Sequence, residues 1–109
     1  MPITKKKDIE VQVRIPILDV LILKDENRYS AQCPKLDLVT EMDSPEQAFD
    51  AILEMIQEYA EDYMKRLSVF RNSPNRSHHY PYIRQITQCK SEWELRELIE
   101  VRHGGIHLR

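Results

Sequence analysis

The cysteines and histidines are the side chains in this sequence that could bind a metal ion, because thiolates and imidazoles are common ligands of zinc. His103 and His107 form an H-x3-H pair, and Cys33 and Cys89 could complete a set of four ligands. Structural zinc sites usually present two close pairs of ligands, whereas the two cysteines here are isolated from each other. We therefore expect no metal site and no cofactor, with both thiols reduced and unpaired.

Acid–base and phosphate chemistry also lack a suitable set of residues. His78 and His79 are adjacent, but no carboxylate in their own segment could orient them. The only glycines of the sequence are Gly104 and Gly105, which excludes a glycine-rich phosphate loop. Helix surfaces commonly carry acids, so we assign no metal to four acidic residues at helical spacing: Glu54, Glu58, Glu61 and Asp62. We expect no catalytic residues and a protein that is not an enzyme.

The distribution of charge points instead to binding. Residues 1–64 carry 7 Lys/Arg and 14 Asp/Glu, a net charge of −7, and residues 65–109 carry 9 and 4, a net charge of +5. The two nets add up to the −2 of the whole chain. This split predicts an acidic face for a basic partner, and a basic segment for an acidic partner or for the acidic half itself. An ordinary solvated surface is the alternative.

Length and composition indicate one globular domain. The chain has 109 residues, of which 41% are hydrophobic and 31% are charged, as in soluble proteins with a single modest core. No apolar run approaches the roughly 20 residues that cross a bilayer, and the start of the sequence lacks the apolar core of a secretory signal. We expect a cytoplasmic protein with no membrane partner.

The first part of the chain predicts an antiparallel sheet. Apolar and polar residues alternate from Ile9 to Ile17, which is typical of a strand with one wet face, and Pro16 within it implies an edge or a bulge. Further apolar runs at 20–23, 29–33 and 36–42 predict more strands, the first of them covered on both sides. The short connections favour an antiparallel meander over a parallel sheet.

A long amphipathic helix is predicted from Ser44 to Ser68, packed on this sheet. Ser44 is a candidate N-cap, Pro45 suits the first helical position, and Gln47 completes a capping box. The apolar stripe of the helix is wider than one sheet face requires. We therefore expect a homo-oligomer whose interface includes the side chains that widen the stripe, Met55, Tyr59 and Tyr63.

The segment YSAQCPKL, a short strand and TEMDSPEQAF at the start of the long helix together resemble the HicB-like antitoxin family over roughly residues 9–67. The resemblance implies a three-stranded antiparallel sheet with a helix across one face, often with a fourth strand, related to the ribonuclease H fold without its catalytic carboxylates. It also implies a homo-oligomer that covers and blocks a small basic HicA-like toxin, which cleaves messenger RNA. The glycines common in the family after the proline turn and before the helix cap are absent here, which predicts a changed loop.

Three acidic residues next to the helix start are candidates for contacting such a toxin: Asp37, Glu41 and Asp43. They are predicted on the strand at 36–42 and on the turn that follows it. The alternative is that Asp43 only supports the positive end of the helix dipole, and that the other two are solvated strand residues.

The C-terminal third lies outside the resemblance, so we divide the chain into a β-β-β-α domain at 1–70 and an extension at 71–109. Residues 82–89 fit a strand or a helical turn, and we favour a strand that completes the sheet. Ser91 then caps a short helix that ends at Gly104. The fold class is accordingly α+β, with a three- to four-stranded antiparallel sheet, one long helix and a short C-terminal helix.

The basic extension supports an alternative function, a nucleic-acid-binding regulator or a stand-alone oligomeric interaction module. Arg71, Arg76 and Arg84 are the candidate contacts to nucleic acid. The extension has no second helix at the spacing of a helix-turn-helix, so we expect weak, non-specific binding at most.

Overall fold

The computed structural model describes residues 10–106 as a four-stranded mixed sheet with helices. The strands are β1 (Leu18–Asp25), β2 (Arg28–Cys33), β3 (Leu38–Met42) and β4 (Ile99–Gly105). Their order across the sheet is β3-β2-β1-β4. The pairs β1–β2 and β2–β3 are antiparallel, whereas β1 and β4 are parallel. This arrangement confirms the predicted α+β class, and β1 to β3 form the predicted antiparallel meander.

The helices are α1 (Pro45–Lys65), α2 (Leu67–Arg71), α3 (Tyr80–Thr87) and α4 (Glu92–Glu97), with short 3-10 turns at Pro34–Leu36 and Ser77–His79. The predicted start of α1 is confirmed, since Ser44 Oγ accepts a hydrogen bond of 3.1 Å from Gln47 N–H. The predicted end at Ser68 is wrong, because the helix breaks at Arg66 and α2 begins after it. Within residues 10–106, no helix has both the length and the apolar character that a membrane crossing requires.

The core lies between one face of the sheet and α1. Alternate residues of β1 are buried against the helix, namely Leu18, Val20 and Ile22. The residues between them, such as Leu21 and Leu23, lie half-buried on the opposite face. The run at 20–23 is therefore part of an ordinary strand with one buried face, and the expectation that both of its faces are covered is wrong.

The strand predicted at 82–89 is also wrong, because these residues lie mostly in α3. Ile83 and Ile86 are three positions apart and are both buried, and this spacing puts them on one face of a helix that packs on α1. The fourth strand is instead β4, which follows α4. The intervening helices carry the chain across the sheet, so β4 enters beside β1 in the parallel direction.

Gly104 has a different role from the predicted helix end. The helix capped by Ser91 is confirmed, but it ends at Glu97. Gly104 lies within β4 opposite Leu23, and it does not have the positive φ that makes glycine favourable at a helix C-terminus. The extension at 71–109 thus supplies a strand to the same sheet as the first seventy residues.

The strand predicted from Ile9 to Ile17 is wrong over the described residues 10–17, and Ile9 itself lies outside them. Both edges of β1 are already occupied, by β2 and by β4, so the segment before it has no free edge of that strand to join. The N–H groups of Ile17 and Leu18 both bond the carbonyl oxygen of Leu98, at 2.8 and 3.0 Å. Residues 10–16 belong to no strand or helix and are exposed, and they are called the N-terminal arm below.

Candidate functional site

A buried histidine links three parts of the molecule. His79 has no exposed surface, and its Nδ1 lies 2.6 Å from the hydroxyl oxygen of Tyr59 on α1. Its Nε2 lies 3.2 Å from a carboxylate oxygen of Asp37, in the connection between β2 and β3. Burial, followed by the adjacent His78, lowers the pKa of His79 below its ordinary value. A largely neutral imidazole thus bridges the sheet connection, the long helix and the C-terminal segment.

The local chain conformation sets the position of Asp37. Pro34 begins a 3-10 turn, and Asp37 closes it with its N–H donating to the carbonyl oxygen of Pro34 at 3.2 Å. Asp37 adopts a left-handed conformation with φ of 57°, which aspartate tolerates better than most residues. Sequence reasoning found no carboxylate to orient His79 because Asp37 lies in a distant segment. The sequence contained no signal for this contact.

An aromatic layer covers the wide apolar stripe of α1. Tyr63 is fully buried, stacks on Phe70 at a ring-centre distance of 4.9 Å, and donates a hydrogen bond of 3.0 Å to the carbonyl oxygen of Arg76. Met55 and Tyr59, the other two predicted interface residues, are half-buried within the chain. Packing by the chain's own C-terminal segment accounts for the width of the stripe, which therefore does not by itself require a second copy.

The three acidic residues predicted to contact a toxin do not form one cluster. Asp37 precedes β3 and is directed at His79. Glu41 and Asp43 lie at the other end of the strand, where both form ion pairs with Arg28. Their role in binding stays a prediction, with two of the charges compensated within the chain.

A row of acids with one ion pair among residues 10–106 lies on α1 instead. We call it the acidic ridge, and it consists of Glu46, Asp50, Glu54, Glu58 and Glu61. All five are exposed, at spacings of three and four along the side of the helix that faces away from the sheet. Asp50 lies 3.8 Å from Arg96, and no other ion pair involves the ridge among residues 10–106. The helical spacing of these acids was visible in the sequence, but it did not show that four of them form no ion pair among residues 10–106.

The N-terminal arm exposes apolar side chains. Val11, Val13 and Ile15 are 82%, 85% and 84% exposed. Arg14, on the arm between them, forms ion pairs of 3.3 Å with Glu94 and Glu97 of α4. No backbone hydrogen bond of residues 10–16 to another described residue is formed. The arm therefore presents apolar side chains and backbone groups that no other segment within residues 10–106 covers.

The basic residues proposed for nucleic acid contact are exposed, and two of them stack on aromatic rings. The guanidinium of Arg71 lies 4.1 Å from the ring centre of Tyr80, and that of Arg76 lies 5.3 Å from the ring centre of Tyr59. Arg84 lies on α3. Such contacts are attractive by themselves, so they explain two of the arginines without a nucleic acid.

The cysteines do not come together with the histidines. Cys33 is buried, and its pKa is raised to about 11 by that burial, while burial also raises the pKa of the half-buried Cys89. His103 lies in β4, and His107 lies outside the described residues. In the part of the chain that the structure describes, the one group of three or more potential metal ligands is Asp37, His78 and His79.

Comparisons with known proteins bear on these surfaces. A family described as "PHD_like: Antitoxin of toxin-antitoxin, RelE / RelB, TA system" matches residues 17–101. No curated protein matches the chain. A solved structure from Syntrophomonas wolfei subsp. wolfei, described as an antitoxin part of a proposed toxin/antitoxin system, is similar with a TM-score of 0.69 and 28% sequence identity. The similarity covers 79% of this chain and 62% of that chain, so this chain spans less than two thirds of that protein's length.

Proposed function

Because this chain belongs to the PHD-like family of antitoxins of toxin–antitoxin systems, we propose that it binds a small, basic, RNA-cleaving toxin and blocks it sterically. Both the family and the similar solved structure are described as antitoxins rather than enzymes, which agrees with the expectation of no catalysis. We also propose a cytoplasmic location, because a toxin that cleaves messenger RNA acts where that RNA is used.

The acidic ridge is the observation that carries this proposal. Its charges lie on one side of α1 and lack partners within residues 10–106, apart from the contact of Asp50 with Arg96. A nuclease that binds RNA presents a basic surface, and complementary charge speeds encounter and sets the register of two proteins. The ridge therefore supports a mechanism in which α1 covers the RNA-binding surface of the toxin.

Two kinds of toxin fit this role. The resemblance of residues 9–67 to the HicB-like family supports a HicA-like toxin, which we keep as the proposed partner. The description of the matched family names RelE and RelB, which supports a RelE-like toxin as the alternative. The reading frame next to the gene identifies which protein to test, since either toxin would be short and basic.

The test is the rate at which the full chain binds that neighbouring protein. The double substitution Glu54→Gln and Glu58→Gln removes two ridge charges that make no ion pair in the described residues. We expect association to slow at low salt and to lose part of its salt dependence, because charges at the rim act mainly on the on-rate.

The matched control is Asp25→Asn with Glu26→Gln, which removes the same charge at the exposed β1–β2 turn. The control should bind at the parent rate. Equal slowing in both variants would mean that net charge alone matters and would remove the ridge as the contact surface. No complex between the parent chain and the toxin would contradict the proposed function itself.

A further inference from the structure

We propose that Asp37, His78 and His79 form a binding site for a divalent transition-metal ion, with zinc as the best-matched ion. Each of these residues offers one ligand atom, and the three atoms lie within 4.8 Å of one another. The residues come from two segments distant in sequence, the β2–β3 connection and the 3-10 turn before α3. The site is separate from the acidic ridge and does not depend on the proposed function.

The spacing of two of the ligand atoms already matches a metal site. Zinc bonds to histidine nitrogen and carboxylate oxygen are about 2.0–2.2 Å long, so two such ligands at a tetrahedral angle lie about 3.4 Å apart. The distance from His79 Nε2 to Asp37 Oδ2 is 3.2 Å. An ion could therefore take the place of the proton between these atoms without a change in the backbone.

His78 can supply the third ligand because its side chain is exposed while its ring lies close to that of His79. The ring centres are 4.3 Å apart, and no hydrogen bond of the His78 side chain to another described residue holds it in place. A rotation of this side chain would bring a ring nitrogen to the ion. The exposed sides of Asp37 and His78 leave the remaining coordination positions open to water.

Tyr59 supplies the outer contact that histidine ligands normally have. A metal-bound imidazole binds through one nitrogen and donates its other N–H to a fixed acceptor, which sets the tautomer and the ring orientation. The hydroxyl oxygen of Tyr59 lies 2.6 Å from His79 Nδ1 and can accept that N–H. Since Tyr59 belongs to the long helix and His79 is fully buried, the ring is held with Nε2 directed at Asp37.

The ligand types select the class of ion. Two imidazoles and one carboxylate suit zinc and similar transition metals, whereas calcium and magnesium prefer sites made of oxygen ligands. Arg76 opposes any cation here: burial and His78 lower the pKa of His79 most, and the positive charge of Arg76 lowers it further. The negative charge of Asp37 offsets this repulsion. Because two of the three ligands are imidazoles, we expect binding by zinc or cobalt and not by magnesium.

The test is a titration of the full chain, made without a histidine tag, with Co2+ followed by Zn2+. We expect one equivalent of Co2+ to give a visible absorption spectrum that Zn2+ abolishes, and the melting temperature to rise with Zn2+ because the ion binds the folded state. Loss of an outer contact to a metal ligand costs about tenfold or more in affinity, and we expect His78→Gln, which removes a ligand, to cost at least as much. The variant should still fold because His78 is exposed. The matched control, His103→Gln on the exposed end of β4, should bind as the parent does.

Three results would overturn the proposal. One is the absence of one-to-one binding by the folded parent chain, and another is unchanged affinity in the His78→Gln variant. The third is a cobalt–thiolate charge-transfer band, which would put the ion at Cys33 or Cys89 instead. A variant with both cysteines replaced by alanine should retain the spectrum.

Discussion

The hydroxyl oxygen of Tyr59 lies 2.6 Å from Nδ1 of His79, across a sequence separation of 20 residues. This contact joins the long helix to the segment that follows it and holds a fully buried imidazole in place. On the other side of the ring, Asp37 extends the link to the sheet. The stability of this part of the fold and any ion binding there therefore depend on the side chain of His79.

We expect the chain to lose stability in mild acid through His79. Burial lowers the pKa of His79 in the folded state, so the unfolded chain, with a pKa of about 6.5, takes up the proton at higher pH. The stabilising contribution is thus complete above about pH 6.5 and is lost as the pH falls below that value. Urea unfolding at pH 7.5 and 5.5 should show that the free energy of unfolding falls more for the parent than for His79→Gln. Equal losses in the two proteins would contradict the assignment.

Removing the hydroxyl of Tyr59 should destabilise the fold. In Tyr59→Phe, Nδ1 of the buried His79 loses its partner, and an unsatisfied buried polar group costs about 1–3 kcal/mol. Tyr82→Phe is the control, because no hydrogen bond of the Tyr82 hydroxyl to the described residues is formed and its change should be close to zero. Chemical denaturation measures the free energy of unfolding of both variants. A similar loss of stability in the two would argue against the contact between Tyr59 and His79.

The N-terminal arm should mediate the self-association predicted from the sequence. Burying a large aliphatic side chain contributes about 1.5–3 kcal/mol, and Val11, Val13 and Ile15 remain exposed. No strand of residues 10–106 pairs with the outer edge of β3, and this edge could accept an added strand from a second copy. We expect light scattering to detect a dimer or larger species at micromolar concentration, and the triple change to serine to shift it towards monomer.

The control for the arm is Val69→Ser, which removes an apolar side chain of 61% exposure on α2. This variant should form an oligomer of the same size as the parent does. A parent chain that is monomeric at micromolar concentration would contradict the prediction of an oligomer. If Tyr59→Glu dissociates the oligomer and the triple change to serine does not, the interface lies on α1 rather than on the arm.

Alanine at Asp37, Glu41 and Asp43 should have a smaller effect on toxin association than the loss of two ridge charges. Arg28 already compensates Glu41 and Asp43 within the chain, so their removal frees a positive charge and weakens the acidic field only in part. Association rates at two salt concentrations measure the difference. A triple variant that binds as fast as the parent at low salt would end the claim that these residues contact the toxin.

Nucleic acid binding, if present, should be weak and steeply dependent on salt. Each phosphate neutralised by an arginine releases counterions, so affinity falls as salt rises. We expect changes of Arg71, Arg76 and Arg84 to glutamine to lower affinity equally for unrelated DNA sequences, measured by fluorescence anisotropy. Tight, sequence-selective binding to the chain's own promoter would favour the alternative function of a nucleic-acid-binding regulator.

Local patterns in the sequence were sufficient for several elements. Ser44, Pro45 and Gln47 identified the start of α1 because a helix cap involves only neighbouring residues. The alternation at 29–33 identified β2 for the same reason, since side chains on a strand alternate between its faces. The α+β class and the antiparallel pairing of the first three strands followed from such local signals and short connections.

Other elements depended on which partner was available in three dimensions. Residues 10–17 alternate as well as any strand does, but β2 and β4 occupy both edges of β1, so the arm has no place beside that strand. The pattern of residues 82–89 fits both the period of a strand and the period of a helix. These residues form a helix because Ile83 and Ile86 pack on α1. A local sequence pattern cannot predict which segment occupies a strand edge or packs on a helix face, because that competition takes place between segments distant in sequence.

The sequence by itself determined the acidic character of α1, the capped helices and the lack of a catalytic motif, since these are properties of single segments. The tertiary structure alone decided that Glu41 and Asp43 pair with Arg28, whereas Asp50 is the one ridge residue that forms an ion pair among residues 10–106. It also decided that Asp37 meets His79, a contact over 42 positions of sequence. The physical reason is that hydrogen bonds and ion pairs act over a few ångströms of space, and the fold sets which side chains come within that distance.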